Sequence, residues 1–213
     1  MKKKLSVILA AMLALTLTLG LAPLAFADDP DPENINTAAI TKVLKVPFGT
    51  EYPAMTFDFS VSLISFNDNT TMPSGMPVIG TAGVVSIAFD GTAETLEGTV
   101  SSISTYYLES DELFGSVDWP YAGIYEFVIT ETGSSYYVAP GSTEEALDLS
   151  QAEYNLKVYV KEYTASDVPA GSSIGDRYIF AIGVMRTTND DGTDGSDKVD
   201  PTPGGNGTTT HYS

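Results

Sequence analysis

Two charged residues of this chain fall where strand alternation puts apolar side chains, and together they have the makings of a covalent reaction. In "GIYEFVITETG", residues 123–133, an extended backbone places Tyr125, Phe127, Ile129 and Glu131 on one face and Glu126, Val128 and Thr130 on the other. In "ITKVLKV", residues 40–46, Lys42 shares its face with Ile40, Leu44 and Val46, while Lys45 lies with Thr41 and Val43. A lone buried charge costs several kcal/mol, so the economical arrangement has the two charges facing one another. An amine kept from water populates its neutral, nucleophilic form, and a carboxyl in the same surroundings holds a proton and polarises a nearby carbonyl. With an asparagine carboxamide in reach, attack on its Cγ with loss of ammonia yields a Lys–Asn amide. Two plainer outcomes stay open on parity alone: an ordinary buried ion pair, or side chains that reach water at a strand end.

The elements that must position these residues are strands. Period-2 segments rich in β-branched and aromatic residues run over 40–46, 55–64, 84–89, 96–103, 124–131, 154–160 and 178–185, separated by Gly, Pro, Asn and Asp clusters. Seven short strands without a long helical period predict an all-β, Ig-like antiparallel sandwich. Residues 107–114 and 143–149 read as short helices or turns, the second with Ser142 or Thr143 as cap. From Thr187 onward the composition turns to Asp, Gly, Thr, Asn and Pro, and no apolar period survives. This predicts four segments: a signal peptide over 1–27, a polar leader over 28–37, the sandwich over 38–186, and an acidic loop or tail over 187–213.

The signal peptide is read from Lys2, Lys3 and Lys4, the uncharged run from Leu5 to about Leu24, and the small-x-small site Ala25-Phe26-Ala27. The expected location is therefore extracellular, on a cell surface or cell wall. Removing those three lysines leaves seven basic against 28 acidic residues, a net charge of −21, which disfavours nucleic acid and anionic membranes as partners. Although an exported chain could use disulfides, this one has no cysteine. Its one histidine, His211, lies in the Thr-rich tail, which argues against histidine triads and His-metal clusters. No nucleophile elbow, phosphate loop or zinc motif occurs, so neither a turnover enzyme nor a cofactor is expected. The stretch "NDDGTDGSDKVD", residues 189–200, is rich in oxygen ligands, but Gly192 and Pro201 fall where an EF-hand needs ligands, and no metal site is assigned. Tyr106, Tyr107, Tyr136 and Tyr137 are candidate contacts for a glycan or protein receptor.

The strand-one segment "ITKVLKVP", the following "PAMTFDFSV", the "AGIYEFVITE" segment and the later "EYNLKVYV" resemble the isopeptide-linkage domain of Gram-positive, streptococcal-type pilins. The resemblance covers about Ala38 to Ser213, and its most specific element is the Tyr-x-Phe-x-Ile-x-Glu pattern. It implies that Lys42 is the nucleophile, that Glu131 catalyses the joining, and that the product is a structural or adhesive surface subunit whose partners are other pilin or cell-wall subunits. Such a bond closes a loop of more than a hundred residues, worth about 4–5 kcal/mol by analogy with a disulfide. The family carries its asparagine on a closing strand of the type Phe-x-Asn-x-Tyr, and no such strand is found. The expected sandwich therefore lacks its final strand, with Asn189 as fallback and Asn155 expected to face away from the core. An edge left open in this way invites a strand from a partner chain. Neither a sorting motif of the Leu-Pro-x-Thr-Gly type nor a clear polymerisation lysine is seen, although Lys157 and Lys161 have outward parity.

Overall fold

The alternation of β-branched and aromatic residues produces strands, and the apolar phase of each strand turns toward a shared interior. The computed structural model describes residues 36–91, 95–138 and 146–203, except residue 101 and the side chains of 95–100. The expected signal peptide, most of the leader, residues 143–145 and His211 lie outside these residues.

Nine strands are described: β1 (Thr41–Pro47), β2 (Met55–Phe66), β3 (Val84–Phe89), β4 (Thr95–Val100), β5 (Ile103–Glu109), β6 (Gly123–Ser134), β7 (Glu153–Glu162), β8 (Arg177–Thr188) and β9 (Asp194–Val199). They form two antiparallel sheets, one ordered β1-β5-β4 and the other β3-β2-β6-β7-β8-β9. The fold is the expected all-β sandwich. Its core joins Leu44 of β1 to Phe57, Phe59 and Val61 of β2, Ile87 and Phe89 of β3, Phe127 and Ile129 of β6, and Leu156, Val158 and Val160 of β7. Burying each such side chain contributes about 1.5–3 kcal/mol. Tyr125 is fully buried, and its hydroxyl donates to the Tyr121 carbonyl at 2.6 Å while accepting the Tyr121 amide at 3.0 Å. That loop closure fixes the start of β6.

Three sequence expectations need correction. The segment 96–103 is a hairpin rather than one strand: β4 ends at Val100, Ser102 takes a φ of 71°, and β5 returns along it. The second strand of that hairpin absorbs Tyr107–Glu109, so the helix or turn expected over 107–114 is strand at its start, and residues 146–149 are irregular rather than helical. Finally, the boundary at 186/187 falls inside β8, and the acidic segment beyond it supplies β9, paired with β8 from Val184↔Val199 to Thr188↔Asp194. An edge strand needs only one side of its main chain paired and tolerates charges that would be costly in the middle of a sheet, which is why Asp194, Asp197 and Lys198 do not prevent it.

β1 pairs with β5 alone, from Thr41↔Glu109 to Pro47↔Ile103, so among the described residues it is the edge of its sheet. After β9 the chain crosses toward it, and the Pro201 carbonyl accepts the Ala39 amide at 3.0 Å.

Candidate functional site

Lys42 and Glu131 meet between the two sheets. The ammonium donates to both carboxylate oxygens at 2.8 Å, and the side chains keep only 10% and 1% of their surface exposed. Each strand puts its residue there by parity. On β1, Lys42 and Leu44 are the buried pair, with half-buried Thr41 and Val43 alternating against them. On β6, the inward row Tyr125, Phe127, Ile129 leads to Glu131, which pairs with Phe59 of β2. The register then slips, with Asp58 opposite Gly133, so Thr132 is the extra residue of a bulge. Because the bulge lies beyond Glu131, the inward phase holds through the carboxylate. The Thr132 hydroxyl donates to the Asp58 carbonyl at 3.1 Å and steadies the kink.

Two further contacts complete the surroundings of the pair. The Ser150 amide donates to Glu131 Oε2 at 3.0 Å, from a segment whose Leu147 and Leu149 pack on the core. Lys42 Nζ also lies 4.4 Å from the centroid of the Phe57 ring, and a cation over an aromatic face gains about 0.5–2 kcal/mol. The pair is thus compact and largely dry.

A groove of about 1200 Å³ opens beside it, walled by the β1 segment and floored by Phe59, Ile129, Leu156 and Val184 of the larger sheet. Asn189, the fallback partner, lines this groove, but its carboxamide nitrogen donates to Thr193 Oγ1 and to the Asp194 carbonyl, both at 3.0 Å. It closes the β8–β9 turn instead of meeting Lys42. Asn155 faces away from the core as expected, donating to Glu126 Oε1 at 2.6 Å on the outer surface of the sheet. There the Glu126 carboxyl is pushed up by burial but pulled further down by the hydrogen bonds from Asn155 and Ser65 and by Lys157, ending below the ordinary glutamate range. Lys161 also points outward, stacked 3.2 Å from the Phe180 ring centroid.

Among the four tyrosines considered as receptor contacts, Tyr137 is 75% exposed. By contrast, Tyr106 packs edge-on against Tyr52 with ring centroids 4.8 Å apart, and Tyr136 lies against the core. Asp191 in the oxygen-rich stretch spends Oδ1 on the Thr193 amide and hydroxyl, at 3.0 and 2.6 Å, and no cluster of metal-ligating side chains occurs among the described residues.

Two participants are not named by the sequence reading. Ser150 acts through its main chain, which side-chain patterns do not reveal. Arg186 shares the parity of Ile182 and Val184 and was legible as an inward cation one residue past the expected strand end. The chain matches no family model and no curated protein.

Proposed function

We propose that the chain is an extracellular structural or adhesive module of the pilin type, and that Lys42 and Glu131 are the reactive half of a Lys–Asn isopeptide site. The observation that carries this reading is the two-pronged 2.8 Å contact between side chains almost removed from water. The reaction requires a proton to move from the ammonium to the carboxylate across that contact, leaving a neutral amine beside a carboxylic acid. The Ser150 amide holds Oε2 in place beside the amine, and the acid formed in that step would polarise the oxygen of an incoming carboxamide. The Lys42 nitrogen attacks Cγ of the asparagine and a Nζ–Cγ bond forms. The Cγ–Nδ2 bond breaks, and Nδ2 leaves with its own two hydrogens and one from Nζ, relayed by Glu131, as ammonia. Neither oxidant nor cofactor is required, and the reaction is single-turnover.

The asparagine comes from a strand laid along the edge of β1 that has no partner among the described residues. That edge and the groove beside it support strand addition, either by a closing strand of the same polypeptide or by one from a neighbouring subunit. Intact-mass measurement tests the chemistry. A chain or complex that includes the asparagine strand is expected to weigh one ammonia less than its sequence, and Glu131→Ala should restore the full mass. No mass loss with the strand demonstrably docked would refute the reading. For strand addition, light scattering coupled to size exclusion that finds only monomer at every concentration counts against exchange between copies.

A further inference from the structure

Resting on the strand-acceptor reading, a second feature of the groove specifies what enters it. Arg186 points inward from β8, 9% exposed, in a row across the sheet with Ile129 of β6, Tyr154 of β7 and Asp197 of β9. Its Nη2 donates to Asp197 Oδ2 at 2.6 Å. Its Nε is buried and has no acceptor among the described residues. Arg186 lines the same groove as Lys42 and Glu131. A buried guanidinium N–H without an acceptor costs free energy that a docked group can recover.

We propose that Arg186 reads the incoming strand. The occupant is the extended, asparagine-bearing strand of that reading, which lays apolar side chains on Phe59, Ile129, Leu156 and Val184 and presents one neutral oxygen, a hydroxyl or carboxamide, to Arg186 Nε. It is a peptide because one wall of the groove is the main-chain edge of β1, which has no strand partner among the described residues, and the Pro201 carbonyl already takes the Ala39 amide at the start of that edge. At about 1200 Å³ the groove also exceeds the roughly 300–1,000 Å³ usual for small ligands. The acceptor is neutral because Asp197 already balances the Arg186 charge, while Asp148, Asp190, Asp191 and Asp200 line the same groove. A further carboxylate would add unbalanced negative charge.

The test uses the whole chain and synthetic peptides of about nine residues, a strand's length. Three peptides share alternating valines and a central inward asparagine. They differ at an inward flanking position, which is threonine, valine or aspartate and is moved along the peptide to scan register. Calorimetry is expected to show the best threonine peptide binding about tenfold tighter than its valine and aspartate counterparts. In Arg186→Leu the threonine preference over valine should vanish or reverse. Equal affinities for threonine and valine, a preference unchanged in Arg186→Leu, or tightest binding by aspartate would overturn the proposal while leaving strand addition intact. Binding by none of the peptides would defeat strand addition itself, and this inference with it. If Arg186→Leu does not fold, the ranking on the parent chain decides.

Discussion

Replacing Glu131 with glutamine keeps the oxygen that Ser150 needs and removes only the charge that Lys42 needs. The ammonium then sits, with 10% of its side chain exposed, against a neutral amide and the Phe57 ring. Breaking a buried ion pair from one side typically costs about 3–5 kcal/mol; the ring contact survives, so a value near 3 is expected. Lys42→Met alone strands the carboxylate, with the Ser150 amide as its remaining donor, and should cost about as much. The double variant Lys42→Met/Glu131→Gln leaves no charge, only an amide group short of a partner, at about 1–3 kcal/mol. The decisive expectation is an inequality: the double variant is more stable than either single one. Urea denaturation at neutral pH measures it, followed by the fluorescence of Trp119, the chain's single tryptophan, 7% exposed with its ring centroid 5.0 Å from that of Tyr125. Intact mass first establishes that no bond has formed in the sample. Single variants that each cost under about 1 kcal/mol, with additive effects, would mean a hydrated pair and would refute the chemistry argued from it.

Tyr125→Phe removes the hydroxyl that serves both the amide and the carbonyl of Tyr121, so a loss of about 1–3 kcal/mol is expected in the same assay. Gly123→Ala would bring a Cβ to 2.6 Å from Phe66 Cε2 and 2.7 Å from Asn67 Oδ1 at the start of β6; a lowered melting temperature, with Glu131 chemistry impaired, should follow. Glu126, held below its ordinary value of 4.5, contributes stability at neutral pH that is lost as the pH falls through its folded value. The stability gap between the parent and Glu126→Gln should therefore shrink from about pH 6 to about pH 3, and a gap constant with pH would contradict this.

How much of this was legible in the sequence depends on how much each feature owes to side-chain period. Lys42 and Glu131 were readable because both strands are long enough for one phase to be unambiguous, and because the bulge of β6 falls after Glu131. Asn155 was readable for the same reason. The β4–β5 hairpin was not, since its turn at Ser102 uses a positive φ without the glycine that usually marks one. β9 was hidden because a strand at a sheet edge is held by main-chain bonds to one neighbour, so "DGSDKV" needs no apolar face. Asn189 had the right residue type and lies at the groove, but the turn that Gly192 makes possible, with a φ of 80°, takes up its amide. Side-chain parity therefore reports which residues share a face, and it is silent on which polar groups the backbone has already claimed.

That distinction also explains why the chemistry is assigned to one cluster and not to another of the same composition. On the outer face, Lys157 lies 3.5 Å from Glu126, which accepts from Asn155 at 2.6 Å, so an amine, a carboxylate and a carboxamide are already together. Lys157 is 41% exposed, however, so its amine is not shut away from water as that of Lys42 is. Lys157 and Asn155 also stand two residues apart on β7, so joining them would close almost no loop and constrain almost nothing. Lys42 differs on both counts. It is shut between two sheets with a carboxylate in contact, and it lies on a strand whose other edge has no partner among the described residues, so any asparagine that reaches it must arrive on a separate segment. A bond formed there would tie that segment to the sandwich at the open edge of β1, where a pulling force would otherwise peel a docked strand away.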